Sequence, residues 1–104
     1  MTKAMITNYL LSEFQDIRTT VINGETWFAA IDITKQIGYS NNYKSIKDHC
    51  IESGIEKVEQ MEGGRIHSTL FINEENICRL VLASKVKKMQ PVKNQIFKFI
   101  YSNN

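Results

Sequence analysis

The spacing of apolar residues changes character repeatedly along this chain, and each change marks an expected element. Residues 1–13 hold Leu10 and Leu11 without a settled period and are expected to form a loosely held N-terminal arm. Leu10, Leu11 and Phe14 are its candidates for docking on a core. From Asp16 the period becomes two. Ile17, Thr19 and Val21 fall on one face and Arg18, Thr20 and Ile22 on the other, a strand pattern rich in β-favouring residues. Asn23-Gly24 then predicts a hairpin, because both residues accept the positive φ of a type I′ turn. Glu25 to Ala29 should return antiparallel and place Trp27 or Phe28 in the core.

Beyond the strand pair the period becomes helical. A helix is predicted from near Ile31 to Gly38, with Ile33 and Ile37 one turn apart and Gly38 as a left-handed C-terminal residue. Ser40, Asn41 and Asn42 are all acceptable N-caps for a second helix that ends by Gly54. Its inward stripe is expected at Tyr43, Ile46 and Cys50, leaving Lys44, Ser45, Lys47 and Asp48 facing out. Two extended runs follow, Ile55 to Met61 and Arg65 to Ile72, joined by a Glu62-Gly63-Gly64 turn. Ile66, Ser68, Leu70 and Ile72 share one side of the second run.

Asn73 caps a third helix with Glu74 and Glu75 in its first turn, where the helix dipole favours negative charge. It continues through Ile77, Leu80, Val81 and Ala83, with Lys85, Lys87 and Lys88 expected at its far end. Pro91 suits the start of a last helix whose apolar stripe is Val92, Ile96, Phe99 and Ile100. The predicted fold is α+β: two β-hairpins packed with about four short helices around one core, two of the helices forming a helix-turn-helix-like pair. Residues 14–104 would make up that single domain.

Length supports this. A chain of 104 residues, 42% hydrophobic, can bury one core but not two. No apolar run approaches the roughly 20 residues that span a bilayer, and the opening lacks the apolar core of a signal peptide, so an intracellular protein is expected. Cys50 and Cys78 are too few and too far apart for a disulfide framework, and with His49 and His67 they match no metal-ligand spacing. Reduced, half-buried thiols and no metal or cofactor are expected.

Charge alters the picture through its distribution. The net charge is only +2, but residues 1–34 carry two bases and four acids while residues 35–104 carry eleven bases and seven acids. From Ser84 onward there are five lysines, Lys85, Lys87, Lys88, Lys93 and Lys98, and no acid, a cationic end suited to phosphates or an acidic surface. In the second helix Asn41, Asn42, Lys44, Ser45 and Lys47 are residue types that reach base edges and phosphates. The same asparagines serve equally as caps, and the same lysines as a solvated face, so the residues alone leave both readings open. For catalysis, Ser84-Lys85, His49-Cys50 and Glu74-Glu75 are the only candidates, and none has a spacing that implies a site. The chain is expected not to be an enzyme.

The order of these pieces resembles the Bro-N domain, the N-terminal module of baculovirus BRO proteins and many phage antirepressors. The matching residues run from Asn23-Gly24-Glu25 and Trp27-Phe28 through Asp32-Ile33, Ile37-Gly38-Tyr39 and Ser40 to Ile46. They resume at Ile72-Asn73-Glu74, Arg79-Leu80-Val81 and Ser84-Lys85. Two departures stand out. Gln95, Phe97 and Phe99 replace an aromatic-rich final helix with a Trp, and Val86-Lys87-Lys88-Met89 replaces the usual Pro and Ala, making that corner more basic.

The resemblance implies a viral or phage-type DNA-binding domain acting in transcriptional regulation, without cofactor or catalytic residue. Its partner would be double-stranded DNA, held by Asn41, Asn42, Lys44, Ser45 and Lys47 together with Lys85, Lys87 and Lys88. Such a protein would work in the cytoplasm of a bacterial host, or in the nucleus for a eukaryotic virus. DNA readers of this size often dimerise. The alternative is a protein-interaction module that captures a repressor or host defence factor through the same cationic face.

Overall fold

A computed structural model describes residues 3–101. The elements run α1 (Lys3–Glu13), β1 (Thr19–Ile22), β2 (Glu25–Ala29), α2 (Ala30–Ile37), α3 (Asn42–His49), β3 (Ile55–Glu62), β4 (Arg65–Ile72), α4 (Glu74–Ala83) and α5 (Gln90–Tyr101). Short 3₁₀ turns at Glu52–Gly54 and Lys87–Met89 precede β3 and α5. The class is α+β as expected, with both hairpins and the helix-turn-helix-like pair α2–α3 present. The last three residues of the expected domain, 102–104, lie outside the described residues.

Both hairpins close on two-residue turns with positive φ throughout, Asn23 at 51° and Gly24 at 77° in the first, Gly63 at 59° and Gly64 at 78° in the second. That is the type I′ geometry whose twist matches paired strands. The hairpins join into one antiparallel sheet of order β1-β2-β4-β3. The seam between them is short: only Phe28↔Ile72 and Ala29↔Phe71 pair across it. Phe28 and Ile72 face the helices in the main core, whereas Trp27, Ala29 and Phe71 form a smaller cluster with Ile22 and Val58. Both members of the Trp27-Phe28 pair are therefore buried.

The β3–β4 hairpin is a ribbon that leaves the body of the protein. Its eight-residue strands pair along their whole length, yet every residue from Glu59 to Ser68 is exposed. Of the face expected to bear Ile66, Ser68, Leu70 and Ile72, only the base is covered; Ile66 is 66% exposed, opposite Met61.

Three expectations are corrected. Residues 3–13 are a helix rather than a loose arm, and it lays Leu10 into the core and edges Tyr9 against Phe99 of α5 at 5.6 Å. Leu11 stays on the surface while Phe14 is buried. The first strand starts at Thr19, later than Asp16, because Asp16 takes a left-handed φ of 57° that breaks the extended run. On α3 the inward positions are Ser45 and Ile46, and Tyr43 is 66% exposed. α3 crosses both α2 and α4, and the small Ser45 permits an approach that a tyrosine would block.

Two polar devices hold the connections. Arg18, just before β1, grips Asp32 in the first turn of α2 through two side-chain contacts of 2.9 Å and a 3.0 Å bond from its backbone N–H. These bonds hold the Asp32 carboxyl below the usual carboxylate range. A depressed folded-state pKa contributes stability that is present above the unfolded value, about 3.9, and is lost as pH falls through the folded one. Because the Arg18 side chain is 59% exposed, the contribution is about 1 kcal/mol or less. Asp32→Asn should lower urea stability at neutral pH, and the difference from wild type should vanish near pH 2.

The second device is Asn76, fully buried in α4. Its Oδ1 accepts the Ile51 N–H at 2.8 Å, and its Nδ2 donates to the carbonyls of Ile51 at 3.0 Å and Gly54 at 2.8 Å. The chain between α3 and β3 has few regular partners, so this side chain takes the Ile51 N–H and adds a second donor to each carbonyl beside the Gly54 and Asn73 N–H groups.

Candidate nucleic-acid interface

The α2–α3 corner is built by three local choices. Gly38 adopts φ 104° and donates its N–H to Thr34 O at 3.0 Å, stopping α2. Tyr39 then turns inward, donating its hydroxyl to Leu80 O at 2.7 Å and setting its ring 5.8 Å from His49. Asn41 starts α3, its side chain accepting the Lys44 N–H at 3.0 Å. The corner is thus fixed against α4 with α3 beginning at the surface.

The residues predicted to contact DNA divide here. Asn41, Lys44 and Lys47 are exposed on α3. Lys44 is held 2.5 Å from Asp48, one turn on, and this bond pulls the Asp48 carboxyl below its ordinary range. Lys47 makes no ion pair among the described residues. Ser45, expected to face out, is 5% exposed and donates its hydroxyl to Asn42 O at 2.7 Å. Packing against α2 and α4 takes it off the surface. Asn42 is half-buried with its Oδ1 turned inward, without a hydrogen-bond partner among the described residues.

The basic end sits differently from expectation. Lys85, Lys87 and Lys88 do not cap α4, which ends at Ala83 with no base in its last turn; they occupy the connection to α5. Ser84 is buried and accepts the Val86 N–H at 3.1 Å, turning the chain back toward α2. The result brings Lys88 to the α2–α3 corner: a Cβ placed on Gly38 would lie 3.8 Å from both the Lys88 ammonium and a Val86 methyl. Positive charge there faces the carbonyl end of α2, which the helix dipole makes negative. Lys85 and Lys87 are exposed in the same connection. Lys88 thus reaches the end of α2, three residues before the N-cap of α3, from about fifty residues away in sequence.

Beside this corner runs a cleft of about 330 Å³ between the α2–α3 pair and the ribbon. Lys35, Tyr43, Ile31, Glu62 and His67 are among its lining residues. Sequence reasoning missed it, having placed Tyr43 in the core; three consecutive polar or aromatic surface types, Asn42, Tyr43 and Lys44, were its one available signal. Cys50 and Cys78 are free and half-buried, with burial pushing their thiols up to about 11 and about 12, so neither supplies a thiolate near neutral pH.

The model of the BRO family N-terminal domain matches residues 16–101, nearly the whole described chain. This chain belongs to that family. The BRO N-terminal domain here is also similar to an uncharacterised protein of Haemophilus influenzae, 32% identical over 87 residues. That match covers 81% of this chain and 43% of the relative, so the domain spans less than half of the Haemophilus protein. No solved structure matches it. In this BRO domain the two departures are now located. Val86 and Lys88 pack at Gly38, and the last helix packs through Val92 and Ile96, with Phe99 edge-on to Tyr9.

Proposed function

We propose that this BRO domain binds double-stranded DNA and acts without enzymatic activity in transcriptional regulation, as an antirepressor-type regulator of phage or virus in an infected cell. The observation that carries the reading is the seat of Lys88 at Gly38, in the turn that leads into the exposed start of α3. Asn41 and Lys47 are exposed on α3, and Lys85, Lys87 and Lys88 are exposed in the connection that reaches Gly38, residue types suited to phosphate contact. Lys44 contributes less, since Asp48 already neutralises it. Ser45 has no part in contact and Asn42 only a partial one. Family membership supports the same reading.

A titration against random and genomic duplexes over a salt series tests it. Affinity should fall steeply with salt, with a slope of about 0.9 per phosphate neutralised. A salt-independent or absent interaction would defeat the proposal. The second reading, capture of a repressor or host factor, draws support from the apolar surface of α5, where Phe97 is 41%, Ile100 46% and Tyr101 67% exposed. Partners recovered from host lysate that survive nuclease would favour it.

A further inference from the structure

We propose that β3 is a dimerisation edge, pairing antiparallel with β3 of a second copy of this chain in the register that sets Val58 opposite its own symmetry mate. Among the described residues β3 has β4 as its only strand partner, so one side of its backbone carries no sheet hydrogen bonds. The strand is eight residues long, whereas β1 at the other edge of the sheet has four. Long open edges are templates for pairing, and short ones are not.

The side chains select the register. Ile55, Lys57, Glu59 and Met61 lie on one face of β3, and Glu56, Val58, Gln60 and Glu62 on the other. A two-fold axis normal to the sheet keeps each face on its own side, so the axis must pass through a residue. Centred on Lys57 the pairing sets lysine against lysine; centred on Glu59 it sets Glu59 against Glu59 and Glu56 against Glu62. Centred on Val58 or on Gln60 it has no like-charge pair, but only the Val58 register sets Lys57 against Glu59. Lys57 then faces Glu59 twice, Ile55 faces Met61 twice, Glu56 faces Gln60, and Val58 faces itself.

Within its own hairpin Lys57 lies opposite Leu70 and Glu59 opposite Ser68, so both charges are free to pair across the new edge. Met61, 74% exposed at the ribbon's end, gains an apolar neighbour. The mixed charges that discourage promiscuous edge pairing thereby admit one partner, the same strand inverted.

Sedimentation of the whole chain across the micromolar-to-millimolar range tests this. Wild type should dimerise. Lys57→Glu or Glu59→Lys turns two attractive pairs into two repulsive ones and should weaken the dimer by about tenfold or more. The double variant Lys57→Glu/Glu59→Lys restores opposite charges and should dimerise as wild type does. Register is read by crosslinking: Val58→Cys should form a disulfide across the axis, where paired Cα atoms lie about 4.5–5.5 Å apart. Gln60→Cys should not, its mate being about 14 Å away. The high thiol pKa values of Cys50 and Cys78 keep them from competing near neutral pH. A wild type monomeric throughout, a double variant that stays dissociated, or a crosslink at residue 60 in place of 58 would overturn the proposal. DNA titration of the same variants reads the functional proposal separately.

Discussion

Replacing Asn76 with Ala should cost about 2–3 kcal/mol of unfolding free energy, the largest effect expected of any polar substitution in the domain. The side chain is fully buried, satisfies the Ile51 N–H and shares the Ile51 and Gly54 carbonyls with backbone donors. Alanine would leave the Ile51 N–H without its protein partner in an interior that water reaches poorly, at about 1–3 kcal/mol. It would also strip one of two bonds from the Ile51 carbonyl, which keeps the Gly54 N–H at 3.1 Å. Gly54 keeps one bond, from the Asn73 N–H at 3.1 Å. Against a total stability of about 5–15 kcal/mol, the loss should move the urea midpoint well down with little change in slope. Gly54→Ala should strike the same place from the other side. Its Cβ would meet Asn73 Oδ1 at 2.5 Å and Asn76 Nδ2 at 2.6 Å, so the caps of α4 must shift. A loss under about 1 kcal/mol for Asn76→Ala would show that this connection holds without the side chain.

The second large effect concerns DNA. Lys47→Ala with Lys88→Ala should lower duplex affinity by about tenfold or more at moderate salt and reduce the salt slope by about two, one for each phosphate contact removed. Both residues are exposed, and Lys88 loses only its favourable place at the carbonyl end of α2, so thermal stability should fall slightly at most. The charge arrangement on α3 predicts an opposite partner result. Asp48→Asn frees Lys44 from its 2.5 Å ion pair and should strengthen binding. Lys44→Ala should therefore cost less than Lys47→Ala. Equal affinity for wild type and the Lys47/Lys88 double variant would move the interface elsewhere.

How much of this was legible in the residues depended on whether a local rule governed it. Asn23-Gly24 and Gly63-Gly64 dictate their turns, Gly38 and Asn73 their helix ends, because the backbone conformation required there is one few other residues supply. Those elements were readable. The first helix was not, since Leu11 beside Leu10 blurs the stripe of Ile6, Leu10 and Phe14. Tyr43 and Ser45 exchanged places for a tertiary reason: a tyrosine looks like core, but α3 lies too close to α2 and α4 to admit one. The joining of β2 to β4, the service of Asn76 to Ile51, and the seat of Lys88 at Gly38 all link distant positions. No local pattern encodes such pairs, and a half-correct surface was the result: Asn41, Lys44 and Lys47 stand where expected, Ser45 does not.

The two-rung seam between the hairpins has a consequence for how the sheet opens. Each hairpin is closed by its own tight turn, whereas among the described residues Phe28↔Ile72 and Ala29↔Phe71 are the only strand pairs between them, across more than forty residues of chain. Amide protons near the ribbon tip, from Gln60 to His67, should exchange with solvent through local fraying, while those at the seam wait for the whole domain to unfold. Among the β3 amides bonded to β4, protection should therefore rise in steps from Glu62 back toward Ile55. The ribbon should grade from solvent-like exchange at its tip to core-like exchange at its base. Its outer half, which lines the cleft with Arg18, Lys35 and Tyr43, is where a bound partner would add order.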